Sequence, residues 1–82
     1  MMKKELTIKD TAGLHAALAA KLVQLASTYD VEVKMEYADK VVDAKSILGL
    51  MSLAVPSGQN VALVAEGADA QKAIDEIEKL LG

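Results

Sequence analysis

The 82-residue chain has room for one compact domain spanning residues 1–82, and a domain of this size hides only about 60% of the surface that its unfolded chain exposes. Hydrophobic residues at 52% and charged residues at 26% supply a core and argue against disorder, and with no Cys, Trp or Phe that core must be packed from aliphatics rather than crosslinked. The net charge is -3 and every basic residue is Lys, so nucleic acid is not an expected partner of an acidic chain that lacks Arg and stacking aromatics.

The amino terminus, Met1-Met2-Lys3-Lys4-Glu5, is basic but runs into alternating residues without the apolar stretch of a signal peptide. Glu5 to Lys9 sets Leu6 and Ile8 on one face and predicts a half-buried strand. Thr11-Ala12-Gly13 reads as a turn, and from Leu14 to Ser27 an Ala- and Leu-rich run with Leu18, Leu22 and Leu25 at helical spacing predicts an amphipathic helix. Val31 to Tyr37 alternates through seven positions, the cleanest strand signal, and Ala38-Asp39-Lys40 turns it into Val41-Val42 as a hairpin. Ser46 then stands as helix cap before a short apolar segment ending at Leu53. After the Pro56-Ser57-Gly58 loop, Asn60 to Glu66 is apolar on both faces, as expected of a central or well-covered strand. Asp69 precedes a last helix whose stripe is Ala70, Ala73, Ile74, Ile77, Leu80 and Leu81. Each element has one apolar face, so a sheet with helices on one side buries everything in two layers. No apolar run approaches the roughly 20 residues of a membrane span, and the expected protein is soluble and cytoplasmic.

His15 is the only histidine, and imidazole is both a nucleophile and a group that titrates near neutrality. Its position puts it at or beside the start of the first helix, where unpaired N–H groups, those of Ala16 and Ala17 first, and the positive end of the helix dipole suit a bound phosphate. A surface histidine with no task is the plainer reading of such a residue, and position alone does not choose between the two. Ser46 is explained by capping, worth about 1 kcal/mol, yet a phosphate on its oxygen would also meet a helix N-terminus. Ile47, Leu48 and Met51 lie on a helix too short to bury all its apolar positions; packing accounts for any one of them, and together they would suit a docking patch. The carboxylates form no visible catalytic constellation. No metal-ligand cluster, Gly-rich phosphate loop or cofactor motif is present.

These pieces together resemble the HPr family of phosphocarriers of the sugar phosphotransferase system. Thr11-Ala-Gly-Leu-His-Ala16 is similar to that family's active-site motif, Val23 to Ser27 to its first helix, Lys45 to Leu53 to its regulatory-serine segment, and Glu66-Gly-Ala-Asp69 to its turn into the last helix. The resemblance implies an α+β open-faced sandwich, βαββαβα, with a four-stranded antiparallel sheet covered on one face by three helices. It also implies that His15 accepts a phosphoryl group from phosphorylated Enzyme I and passes it to sugar-specific acceptor domains. The same resemblance makes Ser46 a target of HPr kinase in carbon catabolite repression, with a catabolite-control regulator as partner, and makes Ile47, Leu48 and Met51 the docking patch. A monomer without cofactor or metal is expected, a relay rather than a free-standing enzyme.

The family motif normally continues His-Ala-Arg-Pro, whereas this chain has Ala17 and Leu18. The lost cation should weaken phosphoryl transfer, since a charge-assisted contact is worth about 1.5–3 kcal/mol, roughly ten- to a hundredfold in rate. Leu18 in place of Pro restores one backbone N–H near the helix start. Two alternatives to the carrier therefore stand: a regulatory module that acts through Ser46 and docking, and an inactive variant with impaired transfer.

Overall fold

The computed structural model describes residues 1–82 as β1 (Met2–Thr7), α1 (Ala16–Ser27), β2 (Glu32–Tyr37), β3 (Lys40–Asp43), α2 (Ile47–Leu53), β4 (Asn60–Glu66) and α3 (Ala70–Leu81). The four strands form one antiparallel sheet in the order β1-β4-β2-β3. This is the βαββαβα open-faced sandwich, and β4 is a central strand, as its two apolar faces require.

Alternation sets the two faces of the sheet. Leu6, Val33, Met35, Val61, Leu63 and Ala65 are buried against the helices, which contribute Leu18, Leu22, Leu50, Ile74 and Ile77 among others. On the open face the same strands carry charge: Lys3 pairs with Glu36 at 3.3 Å, flanking half-buried Ala62 and Val64. One core of 22 buried residues, none polar or charged, joins both layers. On the final helix Leu80 is only half-buried, at the edge of the stripe.

Boundaries differ from the sequence pattern at the first strand, at the first helix and at the hairpin, where Lys40 opens β3 instead of belonging to the turn. The first strand runs over Met2–Thr7 rather than Glu5 to Lys9, because Met2, Lys3 and Lys4 register against Ala65, Val64 and Leu63 and the pairing ends at Thr7 opposite Asn60. The alternation is masked there: Lys4 shares the helix-side face with Leu6 and, lying at the rim, reaches Glu78 of α3 at 2.7 Å, which also holds its ammonium above its ordinary pKa. The first helix starts at Ala16 rather than Leu14, because His15 is extended, with φ -83° and ψ 173°, and stands outside it as N-cap.

The β2–β3 hairpin closes through only two residues, Ala38 and Asp39, both left-handed with φ of 51° and 66°. That pair of positive angles matches the right-handed twist of the flanking strands, and Ala38 accepts it at a cost of about 1–2 kcal/mol. The hairpin brings Val42 under α2, where Gly49 lets the helix approach: a Cβ on Gly49 would lie 3.2 Å from that of Val42. The sheet thus sets the position of α2, and α1 and α2 lie side by side on it.

Candidate functional site

The segment between β1 and α1 is a chain of hydrogen bonds leading to one ring. After Ile8, which is fully buried, Asp10 opens a turn in which its carbonyl accepts from the Gly13 N–H and its Oδ1 from the Ala12 N–H, both at 2.9 Å. Such a turn, made by an aspartate bonding the backbone two residues on, is a local habit of Asp. Gly13 completes it at φ +71°, with its Cα so close to the neighbouring loop that a Cβ would stand 2.5 Å from the Val55 carbonyl oxygen. The Leu14 N–H donates to that same oxygen at 2.9 Å, so the loop from Ala54 to Gln59 backs the turn.

His15 emerges from this turn with both ring nitrogens engaged. Nδ1 accepts from the Leu18 N–H at 3.4 Å, a cap longer than the usual 2.7–3.2 Å. Nε2 lies 3.2 Å from Asp10 Oδ2. A backbone N–H can only donate and a carboxylate only accept, so these partners assign the proton of the neutral ring to Nε2. Asp10 is held below the ordinary carboxylate pKa, chiefly by the Ala12 N–H, then by the His15 hydrogen bond, with His15 and Lys21 adding charge attraction.

The ring is half-exposed, with 36% of the His15 side chain and 38% of the Asp10 side chain reaching solvent. None of the clefts on the surface is lined by His15; the ring stands on the open surface. Ala16 and Ala17 follow as the exposed first helical residues, and their N–H groups have no intrahelical acceptor. Ala17 brings no charge, while Leu18 buries its side chain in the core and uses its N–H on His15. The donor that a proline at position 18 would have removed is therefore in use.

Ser46 caps α2, with Oγ accepting from the Gly49 N–H at 3.1 Å. Asp43 Oδ1 accepts from the Lys45 N–H at 2.9 Å just before it. On the outer side of α2, Ile47, Leu48 and Met51 are 42%, 80% and 38% exposed, while Leu50 and Leu53 are buried. These three are a surface patch, not core. No hydrogen bond or ion pair joins His15 to Ser46 or its helix.

Sequence reasoning does not single out Asp10, since it finds no catalytic constellation among the carboxylates. The signal was present in Asp10-Thr-Ala-Gly13, an Asp-initiated turn that leads straight into His15.

A family model described as the PTS HPr component phosphorylation site matches residues 2–82. The chain is 43% identical over 81 residues to the phosphocarrier protein HPr of Cupriavidus necator, covering 99% of this chain and 91% of that one. Its fold matches the crystal structure of HPr-C-His from Thermoanaerobacter tengcongensis with a TM-score of 0.94 at 43% identity, covering 99% of this chain and 91% of that chain. It is also similar to the catabolite repression protein Crh of Bacillus subtilis, solved as a dimer with a swapped domain, with a TM-score of 0.79 at 40% identity and coverage of 99% and 93%.

Proposed function

Because the chain belongs to the HPr family of phosphocarriers, we propose that His15 is the residue that carries the phosphoryl group and that Nδ1 is its nucleophilic atom. The observation that supports this most directly is the ring at the N-cap of α1, its Nδ1 turned to the first helical N–H groups. With the proton on Nε2, Nδ1 holds a free lone pair in the ring plane. Attack by that pair forms an N–P bond while the bond from phosphorus to the donor breaks, its electrons leaving with the donor. The Leu18 N–H is then released from Nδ1 and joins those of Ala16 and Ala17 as donors to the phosphoryl oxygens, at the end of the helix that favours negative charge.

No guanidinium assists these backbone donors, since the chain has no Arg. A guanidinium–phosphate contact is worth about 1.5–3 kcal/mol, so transfer is expected to run ten- to a hundredfold slower than in an Arg-bearing relative. The reading makes the protein a cytoplasmic relay: phosphorylated Enzyme I supplies the phosphoryl group, sugar-specific acceptor domains receive it, and Ile47, Leu48 and Met51 form the docking patch. No helix is long and apolar enough to cross a membrane.

A phosphorus NMR spectrum after incubation with catalytic Enzyme I, magnesium and phosphoenolpyruvate tests the reading. A phosphoimidazole signal that disappears in His15→Ala is the expected result; folded protein with a blank spectrum would sink it.

The likeness to Crh, whose name ties it to catabolite repression, supports a second reading in which Ser46 is phosphorylated and the α2 patch docks a regulator. Exposure to an HPr kinase and ATP should then add one phosphate, absent from Ser46→Ala. An unmodified Ser46 would remove this reading and leave the first untouched.

A further inference from the structure

We propose that Asp10 is a positioning residue for the acceptor histidine, fixing Nδ1 as the nitrogen that attacks and facing the positive charge that the ring gains on phosphorylation. The proposal rests on the reading of His15 as phosphoryl acceptor and adds to it a residue that the sequence did not single out.

Its basis is the distribution of bonds around the pair. Asp10 spends Oδ1 on the Ala12 N–H and Oδ2 on His15 Nε2, while its own carbonyl is fixed by Gly13. The carboxylate therefore cannot swing away from the ring without also giving up the Ala12 N–H, and the turn that carries it is backed by the Val55 carbonyl. A partner held this firmly sets the orientation of the ring it bonds, as the buried aspartate does for the histidine of a Ser-His-Asp triad.

Charge makes the pairing matter. A neutral ring protonated on Nε2 becomes an imidazolium once Nδ1 bonds phosphorus: the ring keeps its Nε2 proton, the lone pair becomes the N–P bond, and the donor leaves with the electrons of the bond it loses. Asp10 Oδ2, 3.2 Å from Nε2, is the anion facing that new cation. The phosphoryl group lies on the other nitrogen, toward Ala16, Ala17 and Leu18, so like charges are kept on opposite sides of the ring. The site has no Arg to stabilise the phosphoryl side, and stabilising the ring side lowers the same barrier.

Phosphoramidate is the probe, because it phosphorylates imidazole directly with ammonia as leaving group and needs no docking partner. The parent protein, Asp10→Asn and Asp10→Ala are compared as full chains, with histidine labelled in nitrogen-15. Before any donor is added, the parent ring should show a protonated Nε2 and an unprotonated Nδ1. On phosphorylation the parent should give the Nδ1 isomer alone. Asp10→Asn keeps an oxygen for the Nε2 proton but loses the charge, and should retain that isomer at about a tenfold lower rate. Asp10→Ala loses both and should give a mixture with the Nε2 isomer. A parent ring protonated on Nδ1, an Asp10→Asn variant as fast as the parent, or an Asp10→Ala variant that still forms one isomer would each overturn the proposal. Failure of the His15 reading looks different: a parent that takes no phosphoryl group from phosphoramidate or from Enzyme I, with its ring nitrogens as described.

Discussion

The two capping sites of this molecule are built from the same device but differ in what else the capping side chain touches. At α2, Ser46 satisfies the Gly49 N–H at 3.1 Å, and nothing else in the side chain is engaged. At α1, His15 makes a longer cap of 3.4 Å and spends its second nitrogen on Asp10. Serine at an N-cap is accounted for by helix stability, since Ser is among the favoured capping residues. Histidine is not among them, and its bond here is the weaker of the two. A residue that caps poorly, on a turn that costs a left-handed backbone to make, is the one for which stability gives no account and for which we propose chemistry; a residue that caps well already has a structural account.

The turn behind His15 is where that comparison is broken most forcefully. Gly13→Ala would require an L-residue at φ +71° and place a methyl 2.5 Å from the Val55 carbonyl oxygen. The left-handed conformation alone costs about 1–2 kcal/mol, and relief of the clash must move either the turn or the 54–59 loop. Urea denaturation should show a loss of about 2–4 kcal/mol, and the nitrogen signals of the His15 ring should shift as the Asp10 contact opens. A stable variant with unchanged ring signals would mean that the turn does not hold the site.

The caps themselves give the next effect. Ser46→Ala should destabilise the fold by about 1 kcal/mol, and Ser46→Asp, which preserves the capping acceptor, by only a few tenths. His15→Ala should cost about 0.5 kcal/mol, at the low end for caps, although it removes the proposed carrier atom. The order of stability losses is thus opposite to the order of losses in phosphoryl acceptance. If Ser46→Ala instead moved the His15 ring signals, the two caps would be coupled although no hydrogen bond joins them.

Most of this architecture is legible in the residues, for reasons that can be named. The alternation from Val31 to Tyr37, the double-faced Asn60 to Glu66 and the stripe from Ala70 to Leu81 each carry a period matching their element, and the structure follows them closely. The first strand was legible only in part, since Met2, Lys3 and Lys4 pair on an edge where Lys4 bridges to α3 and no apolar pattern survives. At the site, His15 and the helix start stood out because one residue type is unique and its flanks change period. Asp10 did not, because its role depends on a turn that folds a residue five positions earlier back onto the ring. Leu18 illustrates the same limit: its N–H was countable from sequence, but only the geometry assigns it to Nδ1.

The smallest effect is also the most selective, because it isolates the bond between Asp10 and His15 from the turn that supports it. The Asp10 carboxyl is held below its ordinary value of 3.8 by the Ala12 N–H first and by His15 second. A depressed carboxyl favours the folded state above the unfolded value, and that contribution is lost as the pH falls through the folded one; the affected window therefore lies below about pH 4. Carbon-13 titration of Asp10 in His15→Ala should show its pKa rising part of the way toward the ordinary value and stopping short, because the Ala12 N–H remains. The acid unfolding of that variant should begin correspondingly earlier as pH is lowered. A complete return to the ordinary value would show that the turn opens without the ring, in which case His15 holds Asp10 rather than the reverse. No rise at all would mean that the two side chains do not interact, and the difference between the two caps would reduce to the length of one hydrogen bond.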